Sequence, residues 1–244
     1  MSHPGVRAYA LFLIILIVSM IVGVLSAERG GKLPDSALIE TTFHEVEPIS
    51  ITQLSPPPLR TLHDTANDFR AIAENALDAP PAKLYEFLDV AVANFEKSRN
   101  ALSGEMVSTI EFLAAEVRSR IASGNMPDAA LQAAEAYRVV IDASDQSRTS
   151  KSVSMLDYAG LRIAADLKCK PIRWDDISDA VSFSDQHWQV AKAGIAKTDV
   201  TERLELIFKT IRQAAITRNA DLTDTAVFHA DHLIDALKGV LPQE

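Results

Sequence analysis

Apolar positions along the chain change their period twice. Residues 8–27, AYALFLIILIVSMIVGVLSA, carry no charged side chain. At ~1.5 Å per residue a helix over this stretch spans ~30 Å, the hydrocarbon thickness of a bilayer. Lipid offers no partner to a backbone N–H or C=O, so the run predicts one continuous transmembrane helix behind a short tail, residues 1–7. Over residues 28–58 the pattern breaks up around Gly30, Gly31, Pro34, Pro48 and the triplet Pro56, Pro57, Pro58. Proline fixes φ and favours extended polyproline geometry, so this segment predicts a semi-rigid stalk.

From Leu59 the period becomes helical. Leu62, Ala66, Phe69 and Ala73 share one face, as do Leu84, Phe87, Leu88, Ala91 and Phe95. Six further stripes follow, beginning at Val107, Ala130, Leu156, Trp174, Leu204 and Leu222. Apolar residues three and four apart give a helix one dry face, so eight stripes in succession predict an all-α body. Pro80-Pro81, Gly124 with Pro127, Pro171 and the Asn219-Ala220-Asp221 corner separate them. Proline and glycine stop or start helices for steric reasons, and Asp128 and Asp221 are placed to cap the helices that follow.

Sliding the chain on itself by 94 residues lays Leu62 on Leu156, Leu113 on Ile207, Val117 on Ile211 and Asn125 on Asn219. A shift of 93 lays Asp128 on Asp221. With the polar segment Ser144–Ser152 between them, the halves read as helical units 59–146 and 150–241, a possible internal repeat. They pack either as two four-helix units or as one stacked array of helical hairpins.

Charge and composition change this picture in a few places. The 244 residues carry a net charge of −9, and Arg7 is the only charged residue before position 28, so the remainder stands at −10. An acidic surface repels phosphate backbones and anionic lipid, which argues against nucleic acid as a partner. A single cysteine excludes internal disulfides and multi-cysteine metal sites. The N-terminal position of the apolar run, with no second run of that length, points to a signal anchor. The expected location is the inner membrane, single-pass, with the body in the periplasm. Cleavage after Ser26 and release into the periplasm is the alternative.

Motifs for chemistry are few. The chain contains no CxxCH, HExxH, GxSxG or GxxxxGK string, and no glutamate three residues before a histidine. Histidines 63, 187, 229 and 232 remain. His229 and His232 lie i, i+3 on the last helix, and with His187 they form the candidate transition-metal site; separate boundary histidines are the competing reading. Cys169 lies between Lys168 and Lys170, whose charges can lower a thiol pKa. Phe183 and Phe228 fall roughly opposite the apolar stripes of the sixth and eighth helices. They are either buried between the two units or exposed as partner-binding rings.

The resulting expectation is a non-enzymatic, membrane-anchored helical protein held by residues 8–27. It would have no catalytic residue and no cofactor, and would serve as an interaction or accessory subunit for another membrane or periplasmic protein. The alternative is a periplasmic bundle that binds a metal or small ligand through histidines.

Overall fold

The computed structural model describes the backbone of residues 58–241. The anchor 8–27 and all but the last residue of the stalk lie outside the described residues. Within them the chain is all-helical, with eight α-helices, one short 3₁₀ turn at Arg99–Ala101 and no strand. The helices are α1 (Pro58–Asn75), α2 (Pro81–Ser98), α3 (Gly104–Ala122), α4 (Met126–Ala143), α5 (Arg148–Lys168), α6 (Trp174–Gly194), α7 (Asp199–Ile216) and α8 (Ala220–Val240). No described helix is long and apolar enough to cross a membrane.

Local chemistry explains the boundaries. Helix α2 starts at Pro80-Pro81, where a missing N–H costs nothing. Ser103, Ser147 and Thr198 accept hydrogen bonds from the backbone N–H groups of Met106, Ser150 and Thr201, which fills the orphan donors of α3, α5 and α7. At α4 and α8 the caps differ from expectation. Asn125 and Asn219, not the aspartates, accept from Asp128 N and Leu222 N. Asp128 and Asp221 sit in the first turns, where their charge suits the positive end of the helix dipole.

Each of α1–α4 packs on its sequence neighbours, and α1 closes against α4; helices α5–α8 repeat this order, with α5 closed against α8. The first set surrounds an apolar cluster that includes Phe69, Leu84, Leu88, Phe95, Ile110, Val117 and Tyr137. The second surrounds Leu156, Ile163, Ile177, Trp188, Leu204, Phe208 and Ile234. The sets meet chiefly where α5 lies against α4 and, more narrowly, α1.

Helix α5 therefore has two dry faces. Met155, Tyr158 and Ala165 enter the first cluster, while Val153, Leu156 and Ile163 enter the second, and every residue from Ser152 to Ala159 is buried. The sequence placed this double role on α6 and α8. On α6, Phe183 does pack on the first cluster, edge-on to Tyr158 with ring centroids 5.4 Å apart. On α8, Phe228 stays 60% exposed.

The α3–α4 and α7–α8 corners match bond for bond at an offset of 94. Gly124 N donates to Ile121 O and Asn125 N to Arg120 O; Arg218 N donates to Ala215 O and Asn219 N to Ala214 O. Gly124 has φ +73°, and Arg218 has φ +51°. The left-handed region is free of strain for glycine and unfavourable for a residue with a Cβ. Arg218→Gly is expected to raise stability by about 1 kcal/mol and Gly124→Ala to lower it by a similar amount. Urea denaturation of both variants checks this; equal and opposite signs are required.

Candidate functional site: a buried carboxylate between the two helical sets

The innermost helices, α1, α4, α5 and α8, converge on Asp157. This side chain is 1% exposed. Its Oδ2 accepts hydrogen bonds from Arg70 Nε of α1 at 2.7 Å, from Tyr137 OH of α4 at 3.0 Å and from Lys238 Nζ of α8. Its other oxygen, Oδ1, is buried and has no hydrogen-bond partner. Burial alone would raise the Asp157 pKa, but Lys238 and Arg70 outweigh that and hold it below the ordinary carboxylate value.

Arg70 extends the cluster outward. Its Nη2 lies 2.9 Å from Glu74, 3.2 Å from Asp231 and 3.0 Å from Asp235. Lys238 approaches Asp235 at 3.8 Å. Two cations thus face four carboxylates. Burial pushes the pKa values of Glu74 and Asp231 up, and neighbouring carboxylates add to the rise in both, because the Arg70 charge is shared too widely to offset it.

A cavity of about 450 Å³ adjoins the cluster. Arg70, Glu74, Asp157, Asp231 and Asp235 are among its lining residues. Leu156, Ile163, Phe208, Ile211, Val227 and Ile234 are among its apolar lining residues, and Phe228 and Asp224 also line it. The size falls within the range of small-ligand pockets, which are mostly apolar with a few fixed polar groups.

Glu74, Asp157 and Asp231 are the one group of three or more acidic, histidine or cysteine side chains among the described residues whose ligand atoms lie within 4.8 Å of one another. The Arg70 guanidinium bonds to all three, so it already supplies a cation at the place a metal ion would take.

The histidines predicted from sequence are absent from that group. His187 is half-buried on α6 with Phe183 beside it, ring centroids 4.4 Å apart. Its Nδ1 has no hydrogen-bond partner, and burial lowers its pKa. His232 is exposed on α8, its Nδ1 2.8 Å from Phe228 O, and its ring lies 4.4 Å from that of Phe228. His229 is half-buried beside the same phenylalanine, with centroids 5.7 Å apart. His63 is exposed on α1. The structure thus brings His229 and His232 to one aromatic side chain.

Cys169 is 7% exposed, directly after α5, and its thiol lies 3.6 Å from Ala165 O. Burial pushes its pKa up, so the adjacent, exposed Lys168 and Lys170 do not activate it.

Sequence reasoning missed Arg70 and Asp157. One signal was present: between Ser152 and Ala159 apolar residues occupy more than one helical face, with Asp157 among them. A helix dry all round with an acid inside needs a buried cation elsewhere. The chain matches no protein-family model, no curated protein and no solved structure.

Proposed function

We propose that this chain is a membrane-tethered, extracytoplasmic helical protein that acts by binding another membrane or periplasmic protein, as an accessory or interaction subunit. The observation that carries the reading is Phe228. Phe228 is 60% exposed on α8, with the rings of His229 and His232 beside it. An aromatic ring left in water between two amphipathic rings is the composition of an interface anchor. Residues 8–27 supply the tether, and the net charge of −10 beyond them favours a partner with a basic face.

We also read 59–146 and 150–241 as two four-helix units descended from one duplicated segment. The repeated order of helix neighbours and the matching corners at offset 94 support this.

A photo-cross-linking side chain placed at position 228 of the full chain in native membranes is expected to yield one discrete protein adduct. The same group at exposed Val90 on α2 should yield none. Identical adduct patterns from the two positions, or none from 228, would reject the reading. Carbonate extraction in the same preparation reports the tether independently: the full chain should stay in the pellet.

A further inference from the structure

Beyond partner binding, we propose that the corner joining α5 to α6 is a proton-operated clasp between the two helical sets, in which Arg173 holds Asp128 of α4 while Asp166 is protonated and passes to Asp166 when that acid ionises. Both partners are already in place. Arg173 directly precedes α6, and its guanidinium forks: Nη2 donates to Asp128 Oδ1 at 2.7 Å, while Nη1 stands 3.9 Å from Asp166 Oδ1. Asp128 lies in the first turn of α4, within the first set, and Asp166 lies in the last turn of α5. The Arg173 backbone N–H donates to the Asp166 carbonyl at 3.4 Å. The root of the arginine therefore stays beside Asp166 whichever carboxylate its head serves.

Asp166 is fully buried, and neither carboxylate oxygen accepts a hydrogen bond. A carboxylate taken out of water needs donors to stay ionised, whereas the neutral acid is far less costly to bury. The arrangement described is thus the protonated one. The charged groups around Asp166 do not reverse this. Asp176 of α6 and Asp128 of α4 repel a negative charge there, against Arg162 of α5 and Arg173 of the corner. Towards α8, Asp224 is paired with Lys168 at 3.5 Å. The Cys169 thiol, pushed up by burial, stays neutral. Burial and then Asp176 push the Asp166 pKa up to about 6, which places the exchange between mildly acidic and neutral media.

Release costs Asp128 little. It keeps the Asn125 Nδ2 donor at 2.6 Å and the positive end of the α4 dipole, and its side chain is 20% exposed, so water can take the vacated place. The arginine also has room to turn: a cavity of about 430 Å³ counts Arg173, Asn125 and Pro127 among its lining residues. Ionisation of Asp166 thus unfastens α4 from the α5–α6 corner, and a proton fastens it again.

Double-mutant cycles on the full chain in nanodiscs read the clasp. Asp128→Asn, Arg173→Gln and the double variant are unfolded in urea at pH 5 and pH 8, in the parent and in an Asp166→Asn background. In the parent, coupling between positions 128 and 173 is expected at about fivefold in the unfolding constant at pH 5, the upper end for a part-exposed ion pair, and should vanish at pH 8. In the Asp166→Asn background it should stay about fivefold at both. A second measurement follows the corner itself, by fluorine NMR of the chain labelled with 5-fluorotryptophan. Trp174 directly follows Arg173 and should titrate with a midpoint near pH 6, while Trp188, 3% exposed in the second cluster, stays constant. Asp166→Asn should abolish the Trp174 titration.

Equal coupling at pH 5 and pH 8 in the parent would mean that Arg173 never leaves Asp128. That result, an absence of coupling at pH 5, or a Trp174 titration that survives Asp166→Asn would each overturn the proposal. Neither measurement requires a partner, so this inference and the cross-linking result fail separately.

Discussion

Arg70→Ala is expected to lower the unfolding free energy by about 3 kcal/mol at pH 7, measured by urea denaturation followed through helix circular dichroism. Removing one partner of a buried ion pair costs about 3–5 kcal/mol because the remaining charge keeps its desolvation penalty. Here Asp157 retains Lys238 and Tyr137, which sets the expectation at the lower end. The contacts of Arg70 with Asp231 and Asp235 add little, since both acids remain well exposed to water.

The pH dependence gives this prediction a second readout. In the parent chain Asp157 has a depressed pKa, so its contribution is present above the unfolded value near 3.8 and is lost as pH falls below it. The gap between Arg70→Ala and the parent must therefore narrow as the medium is acidified below that point. A gap of the same size at pH 3 and pH 7 would mean that lost packing of the arginine stem, not the ion pair, carries the cost. Because Arg70 ties α1 of the first set to α5 and α8 of the second, the variant should also loosen the coupling between sets. Two unfolding steps, where the parent shows one, would report that directly.

The Arg70 network shows where the sequence was legible and where it was not. The stripe Leu62, Ala66, Phe69, Ala73 is buried residue for residue, since an amphipathic period records which face a helix turns to its own bundle. What lies across the flank of that stripe depends on a contact 87 residues away in the chain, between Arg70 and Asp157, and no local period encodes it. The same limit applies to the phenylalanines. Both sit off their stripes, but only a neighbouring helix surface decides that Phe183 is covered and Phe228 is not.

Capping was half legible for a local reason. Asn, Asp and Ser all serve as caps, and in the corners before α4 and α8 both an Asn and an Asp lie within reach. The positive φ at Gly124 and Arg218 turns the chain one residue before the asparagine, so the asparagine meets the free N–H groups. Asp157 and Asp166 carried the least signal. Acids on an otherwise apolar helix read from sequence as a solvated edge, and α5 has no solvated edge over Ser152–Ala159.

Asp166, in the last turn of α5, leads to the other large effect. It is fully buried, and neither carboxylate oxygen has a hydrogen-bond partner. Two cations act on it: Arg162, and Arg173, which stands 3.9 Å away and is committed to Asp128 at 2.7 Å. Burial, followed by repulsion from Asp176, pushes the Asp166 pKa up to about 6 from 3.8. For an acid whose folded pKa is raised, the native state binds the extra proton. The Asp166 contribution is therefore most favourable below pH 3.8 and declines as pH rises toward 6, at about 1.4 kcal/mol per pH unit for a single group. Over the roughly two units between those values the loss is about 3 kcal/mol, and it persists at higher pH. Asparagine occupies the same volume and carries no charge. Asp166→Asn should thus match the parent near pH 3.5 and exceed it by about 3 kcal/mol at pH 8 in urea denaturation, as the same linkage requires. An advantage that does not change between the two pH values would show that Asp166 titrates as an ordinary carboxylate. The parent would then be holding a buried, ionised acid that accepts no hydrogen bond on the field of Arg162 and of Arg173, the latter 3.9 Å away and shared with Asp128, which is too weak to do so.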